Sequence, residues 1–168
     1  MSDQEADPTK GVNYEVGIKA EWLDRRLLTT LALFKAKQEN LSTYGGYDFA
    51  TANYWYYGVD VESKGMEFEA TGKLSDNTNL VFGYTQLKMS NQDGGSTYTW
   101  VPRRTANLML TSRLPSYEAL SFGLGGRWQS NTSTKESYTN MVVRQGSYAV
   151  LNAFVAWDVL PNATIRAN

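Results

Sequence analysis

The chain has 168 residues, a formal net charge of −1 and neither histidine nor cysteine, while 42% of its residues are apolar. The missing residue types exclude thiolate and imidazole metal sites, Ser-His and Cys-His nucleophile pairs and histidine proton shuttles. The near-zero net charge gives no electrostatic signature of nucleic-acid binding. The sequence therefore predicts a protein that is not an enzyme, holds no metal of its own and binds no nucleic acid.

Apolar residues are spread in short alternating stretches rather than in long runs. No stretch approaches the ~20 consecutive apolar residues of a membrane-spanning helix. Mean hydropathy is −0.44, a value that a membrane β-barrel also produces because its strands alternate apolar and polar residues. A helical membrane protein is therefore excluded, whereas a barrel is not.

Period-two alternation of apolar and polar residues predicts seven strands and the start of an eighth. In the first strand, Tyr14, Val16, Ile18, Ala20 and Trp22 share one face without an exception. The predicted strands are residues 13–22, 27–39, 59–74, 79–90, 104–114, 120–129 and 147–160, with the eighth beginning at 163–168.

The second and third predicted strands carry charges near one end. Charged residues at 35–39 occupy the odd face of the second strand, so we expect its even face, which carries Phe34, to contact lipid. One face of the third strand is charged at residues 60–64 and apolar at residues 66–70. Such a face is unusual in a soluble sheet and is typical of a strand that begins above a membrane and then enters it.

The links between the predicted strands alternate in length. The short links are residues 23–26, 75–77, 115–119 and 161–162, and the long links are residues 40–58, 91–103 and 131–146. An up-and-down transmembrane barrel has all its short links on one side of the membrane and all its long links on the other. A soluble all-β protein, the alternative on patterning alone, has no reason to sort its links in this way.

Two of the long links contain aromatic residues suited to ligand binding. Amphipathic rings can hold a ligand by stacking and hydroxyl hydrogen bonds at small entropy cost. Alternatively, the rings pack together to order a long loop or form an interface girdle. The candidate ligand-binding residues are Tyr47, Tyr54, Trp55, Tyr56 and Tyr57 in the first long link and Tyr98, Trp100 and Arg103 in the second.

Two pairs of residues on the more polar strand faces suggest what lies inside the predicted barrel. Glu67 and Glu69 lie about 7 Å apart on one strand face, a separation that would suit paired-carboxylate hydrolysis. Neither a pocket nor a partner acid is indicated, so we interpret them as polar residues of a barrel lumen. Gly123 and Gly125 share the inward face of their strand, and we expect them to leave room for material that fills the lumen.

Several short segments, taken in order, resemble the strand signatures of a known family. They are residues 11–19 (GVNYEVGIK), 31–34 (LALF), 63–70 (SKGMEFEA), 83–85 (GYT), 102–106 (PRRTA), 125–128 (GGRW) and 148–155. Each segment is short, but their order and spacing make the combination specific. The chain resembles TonB-dependent outer-membrane receptors of the ferric-siderophore branch.

The resemblance implies an all-β, antiparallel up-and-down meander that forms part of a transmembrane β-barrel of about 22 strands, roughly strands 13 to 20. Residues 1–168 would be a partial barrel domain in the bacterial outer membrane, without the plug domain and the terminal strands. The implied function is TonB-dependent uptake of ferric siderophores. The implied partners are a ferric siderophore as transported ligand, TonB through the absent N-terminal region, the receptor's own plug and outer-membrane lipid; no cofactor is implied.

Two further functions stay open at this point: a soluble all-β carbohydrate-binding module that uses the aromatic residues as a sugar platform, and a passive porin. The chain opens without a secretory leader and ends in what looks like the start of another strand, so we expect a segment of a longer protein. A partial barrel should form an open sheet, with the first and last strands at its edges. A plug domain in the complete protein would support the receptor, and a neighbouring hydrolase domain would support the module.

Overall fold

The computed structural model describes residues 8–136 and 139–168, most of which lie in β-strands. The strands are β1 (Lys10–Trp22), β2 (Leu27–Asp48), β3 (Asn53–Lys73), β4 (Thr78–Asn91), β5 (Arg104–Leu114), β6 (Tyr117–Gln129), β7 (Thr132–Lys135), β8 (Val142–Gln145), β9 (Tyr148–Leu160) and β10 (Ala163–Ala167). Among the described residues, no helix has the length and apolar character needed to cross a membrane.

Eight strands form one antiparallel sheet in the order β1-β2-β3-β4-β5-β6-β9-β10. The strands β7 and β8 pair only with each other, so β9 follows β6 directly in the sheet. Apart from the inserted hairpin of β7 and β8, each strand of the sheet therefore lies beside its neighbours in the chain, as in an antiparallel meander. The sheet is open, with β1 at one edge and β10 at the other, and the predicted open meander is confirmed.

The first predicted long link, residues 40–58, is mostly strand. The strand β2 continues to Asp48 and β3 begins at Asn53, which leaves only a turn at residues 49–52. The prediction of a long loop was wrong because aromatic residues on the two strands lie opposite one another, and such pairs stabilise antiparallel strands.

The other two long links differ from each other. The predicted link at residues 91–103 is irregular from residue 92 onward, apart from an isolated bridge between Ser90 and Ser96. Residues 131–146 contain the small hairpin of β7 and β8, which the sequence did not predict. Residues 137 and 138 of that link lie outside the described part of the chain.

The strand register gathers the apolar residues onto one face of the sheet. Directly paired residues in antiparallel strands point to the same face. Glu67 and Glu69 lie on the opposite, polar face, as expected. Representative residues of the apolar face, from β1 to β9, are Val16, Leu33, Met66, Phe82, Leu108, Leu124 and Val155.

The register corrects the predicted orientation of β2. Val16 pairs with Leu33, so the odd residues of β2 join the apolar face of β1. Phe34, which was expected against lipid, pairs with Glu15 and lies on the polar face. The charged residues at 35–39 caused the error, because they share a strand face with the apolar residues but lie beyond them, toward the long-link end.

The sheet is a single layer whose two faces are uncovered within the described residues. No large side chain among them is fully buried, whereas Ile18 and Leu151 expose 69% and 75% of their surface. A soluble domain would bury such residues in a core, and apolar patches of this extent mark contact with a partner or a membrane. The buried apolar residues in the described part of the chain are Ala32, Val61, Ala70 and Ala156.

The expectation that Gly123 and Gly125 leave space in the lumen was wrong. A Cβ atom at Gly123 would overlap the ring of Phe154, and one at Gly125 would overlap the amide of Asn152. Side chains of β9 therefore fill the space above these glycines. The Phe154 ring is itself covered by the guanidinium of Arg166, whose carbon lies 3.7 Å from the ring centroid.

Candidate ligand-binding site

The strands β2 and β3 extend beyond their neighbours as a two-stranded arm. Pairing of β1 with β2 ends at Glu39, and pairing of β4 with β3 ends at Val61. Residues 41–59, here called the aromatic arm, pair only with each other among the described residues. About eight residues at about 3.4 Å each give the arm a length of roughly 25 Å.

Aromatic side chains lie on both faces of the aromatic arm. On one face, the ring centroids of Tyr47 and Tyr54 lie 5.0 Å apart at an interplanar angle of 60°. On the other face, the centroids of Trp55 and Tyr57 lie 5.8 Å apart. The first face is extended by Tyr44, Phe49 and Tyr56.

Strand alternation decides which rings continue which face of the sheet. The bulges of the aromatic arm lie on β2, so β3 alternates without interruption along its whole length. Trp55 and Tyr57 therefore continue the polar face, whereas Tyr54 and Tyr56 continue the apolar face. The five candidate residues of the arm consequently do not form one surface.

Trp55 packs across the backbone of the opposite strand. A Cβ atom at Gly45 would overlap the indole ring, and one at Gly46 would lie 3.0 Å from its nitrogen, so both glycines permit this packing. Half of the Trp55 surface, 50%, stays exposed. A ring that is supported on one side and free on the other is well suited to stack on a ligand.

Asp48 closes the turn at the tip of the aromatic arm. Its carboxylate accepts hydrogen bonds from the backbone N–H of Ala50 and the hydroxyl of Thr51, both at 2.9 Å. This is the local hydrogen bonding by which aspartate stabilises turns. The hydrogen bonds from Ala50 and Thr51 hold the pKa of Asp48 below its usual value.

The second group of candidate residues lies in the irregular link at residues 91–103. The rings of Tyr98 and Trp100 meet edge to face, with centroids 4.9 Å apart at 83°. The backbone N–H of Arg103 donates a hydrogen bond to Ser130 Oγ at 3.0 Å, which ties the end of the link to the end of β6.

Only some of the hydrogen-bond donors of the Arg103 guanidinium have acceptors among the described residues. Its Nη2 donates to Ser96 Oγ at 3.3 Å and to the carbonyl of Thr97. Its Nη1 is buried and has no acceptor among the described residues. Burial lowers the pKa of Arg103 below its usual value, but an arginine stays protonated in proteins. Because an unsatisfied buried donor is costly, this nitrogen marks a position for an acceptor.

A cavity of 340 Å³ lies beside Arg103, and most of its lining is hydroxyl and amide groups. The Thr99 hydroxyl donates to the carbonyl of Ser133 at 2.6 Å, and the Ser133 N–H donates to the carbonyl of Thr99 at 3.0 Å. The second and third long links are thereby joined. The sequence analysis assigned no role to residues 131–133. Their Asn, Thr and Ser side chains were the only feature of the sequence that could have indicated a polar site there.

The candidate residues form two separate groups at the long-link end of the sheet. Every aromatic contact among them in the described part of the chain joins rings within the aromatic arm or rings within residues 91–103. Ligand contact by any of these residues stays a prediction.

Comparison with known proteins matches this chain to one family of β-barrels and to receptors for ferric pyoverdines. The family described as "TonB dependent receptor-like, beta-barrel" matches residues 3–168. The chain is 33% identical over 137 residues to the ferripyoverdine receptor of Pseudomonas aeruginosa, a match that covers 78% of this chain and 17% of that protein. It is 30% identical over 168 residues to the ferric-pyoverdine BN7/BN8 receptor of Pseudomonas putida, covering 99% of this chain and 20% of that protein.

Solved structures give the same result. The crystal structure of the ferripyoverdine receptor of the outer membrane of Pseudomonas aeruginosa, bound to ferripyoverdine, matches with a TM-score of 0.85 at 26% identity. That match covers 98% of this chain and 23% of the receptor chain. The chain spans about a fifth of the length of these curated relatives. It belongs to the family of TonB-dependent receptor β-barrels.

Proposed function

We propose that this chain forms part of the wall of an outer-membrane receptor that takes up ferric siderophores in a TonB-dependent manner. The proposal is carried by the match, along almost the whole chain, to ferric-pyoverdine receptors of Pseudomonas putida. In such a barrel the apolar face of the sheet contacts lipid, the polar face lines the lumen and the long links face outside the cell.

The complete receptor requires parts that complement this sheet. In hydrocarbon, unpaired N–H and C=O groups at a sheet edge are costly, so β1 and β10 would pair with further strands of the same barrel. A plug domain would fill the lumen against the polar face. Contact with TonB would be made elsewhere in the receptor, since transport needs an energised partner on the periplasmic side.

Within this chain, Trp55 and Tyr57 are the aromatic residues best placed to contact the siderophore. Both continue the lumen-facing side of β3, and Trp55 is held rigidly against the opposite strand. Rigid amphipathic rings contribute contact area at low entropy cost. Tyr54 and Tyr56 point to the other side of the aromatic arm and serve to order it.

Arg103 would recognise an oxygen-rich group of the ligand. Ferric siderophores carry carboxylate, hydroxamate or catecholate oxygens, and a guanidinium binds such oxygens through parallel hydrogen bonds. The Nη1 of Arg103, which has no acceptor in the described part of the chain, and the adjacent hydroxyl-lined cavity support this role. Replacement of Arg103 by lysine keeps the charge but loses the fork geometry, so affinity should fall in Arg103→Lys as well as in Arg103→Gln.

Binding to the complete receptor tests these roles. Titration with a panel of ferric siderophores should identify at least one high-affinity ligand. The double variant Trp55→Ala/Tyr57→Ala should weaken its Kd by about 10- to 100-fold, as loss of aromatic contact residues typically does. The matched double variant Tyr54→Ala/Tyr56→Ala should retain affinity within about threefold, because the removed rings lie on the other face. Equal losses in both would show that the cluster is structural.

Uptake in cells distinguishes the receptor from the porin. Radioactive iron supplied as the bound siderophore should enter cells that express the complete receptor, and entry should stop when TonB is deleted. Iron entry that persists without TonB, together with entry of unrelated small solutes, would contradict the proposal and favour a passive pore.

A further inference from the structure

Two pairs of tyrosines lie opposite each other across the strands of the aromatic arm. Tyr47 pairs directly with Tyr54, and Tyr44 pairs directly with Tyr56. In the described part of the chain, no other paired strand positions carry a tyrosine on both strands. All four tyrosines lie on the side of the arm that continues the apolar face, away from the side proposed to contact the siderophore.

The rings of these tyrosine pairs are in contact. The centroids of Tyr47 and Tyr54 lie 5.0 Å apart at 60°, and those of Tyr44 and Tyr56 lie 5.9 Å apart at 69°. A third contact of 6.1 Å, between Tyr44 and Tyr54, connects the two pairs. In each pair the edge of one ring meets its neighbour. Because the χ2 torsion of tyrosine has a broad minimum, a modest rotation aligns carbons of the two rings.

The tyrosine pairs are accessible to oxidants, since all four side chains are exposed. The chain contains no cysteine, so it offers no thiol that would be oxidised first. The remaining oxidisable side chains of this chain are those of tyrosine, tryptophan and methionine, and the exposed Met141 would give a sulfoxide. A tyrosine that is oxidised in the aromatic arm has a second phenol in contact with it.

We propose that the aromatic arm is a site of oxidative cross-linking at which hydrogen peroxide, activated by iron or haem, joins Tyr47 to Tyr54. Each phenol gives up one electron and one proton, and one peroxide molecule accepts them all and leaves as two molecules of water. The two phenoxyl radicals form a carbon–carbon bond between ring carbons beside the oxygens. The hydrogen on each of these carbons then moves to the oxygen, which restores both phenols.

The paired strands favour coupling within one arm over coupling between two receptor molecules. Groups that are held in contact react as if they were at a very high local concentration, whereas two separate molecules must first meet. The closer contact, between Tyr47 and Tyr54, should react before the contact between Tyr44 and Tyr56. The new bond would join β2 to β3 beside the turn at residues 49–52 and hold the arm closed.

The test treats the complete receptor in detergent micelles with hydrogen peroxide and a haem peroxidase. A protease that cleaves before aspartate separates residues 24–47 from residues 48–59, and with them Tyr47 from Tyr54. Mass spectrometry should find these two peptides joined, with a mass equal to their sum less two hydrogen atoms. Fragmentation should place the bond between Tyr47 and Tyr54, and dilution of the receptor should not lower the yield. Siderophore is left out, so the outcome is independent of the proposed transport.

Two double variants distinguish strand pairing from mere closeness in sequence. Tyr54→Phe/Tyr56→Phe keeps the rings but removes the phenols that lie opposite β2, while Tyr57 stays available in the same peptide. The yield of joined peptides should fall by at least about tenfold, because Tyr57 lies on the other face. The matched variant Tyr57→Phe/Tyr98→Phe removes two phenols outside the pairs and should cross-link like the wild type. Phenylalanine conserves the packed ring, so both variants should fold.

Three results would overturn the proposal. Equal yields in the two double variants would show that the phenols couple without regard to strand pairing. Bonds that join two receptor molecules would show that collision, rather than the contact within one arm, decides the product. Oxidation of methionines such as Met141 to the sulfoxide, without any joined peptides, would show that the tyrosine pairs do not couple.

Discussion

Replacing Leu124 with arginine tests whether the apolar face contacts lipid. Leu124 lies midway along the apolar row of β6, between Leu110 and Ala153, and 47% of its surface is exposed. Full burial of a leucine side chain contributes about 1.5–3 kcal/mol to stability. Because lipid would cover about half of this side chain, the substitution would lose about 1 kcal/mol of that contribution. Arginine near the bilayer midplane costs a further ~2–4 kcal/mol. We expect Leu124→Arg to destabilise the barrel by about 3–5 kcal/mol.

The free energy of unfolding is measured by denaturant titration of the complete receptor in lipid vesicles. The control Thr85→Arg places the same charge on the polar face, directly opposite Glu67. The attraction between these charges should keep the change below about 1 kcal/mol. Leu124→Ala gives the contribution of the leucine alone. Equal destabilisation by the two arginines would refute the assignment of this face to lipid.

Three further variants probe the packing of the polar face and the turn of the aromatic arm. Gly123→Ala should destabilise the barrel by about 1–3 kcal/mol, because the added Cβ overlaps Phe154. Gly83→Ala, with nothing within 4 Å of its added Cβ, should be neutral or stabilising by about 0.5–1 kcal/mol. Both variants are measured by the same denaturant titration, and equal free energies of unfolding would contradict the packing of Phe154 against Gly123. Asp48→Ala should increase hydrogen exchange at residues 49–52. Hydrogen bonding lowers the pKa of Asp48, so the wild-type turn should be fully protected from hydrogen exchange above pH 3.8, the ordinary pKa of aspartate, and should loosen as the pH falls through the lowered pKa. If neither the Asp48→Ala substitution nor the fall in pH changes this protection, the role of the carboxylate is contradicted.

The alternation of apolar and polar residues within one strand predicts which face is outward only where one face stays apolar along the whole strand. In β1 every outward residue from Tyr14 to Trp22 is apolar or aromatic, so the face could be predicted. In β2 the same face carries Leu33 within the apolar region and Lys35 above it. A strand that extends past the membrane combines both characters on one face, and only its register with β1 and β3 resolves them.

The candidate site was predicted in part. The aromatic residues of the arm were identified, but reading residues 40–58 as a loop hid the alternation that separates Trp55 from Tyr56. Recognising these residues as paired strands requires knowledge of which residues lie opposite each other. The surroundings of Arg103 could not be predicted, because they arise from contacts with Ser130 and Ser133 that are distant in the chain and leave no periodic pattern.

The structure of the complete receptor with its ferric siderophore bound tests the central claim most directly. We predict that β1 and β10 each hydrogen-bond to a further strand of the same barrel, and that the siderophore lies on the side of the sheet that carries Trp55 and Tyr57. Closure of a small barrel by direct pairing of β1 with β10, or a siderophore on the opposite side of the sheet, would contradict the claim.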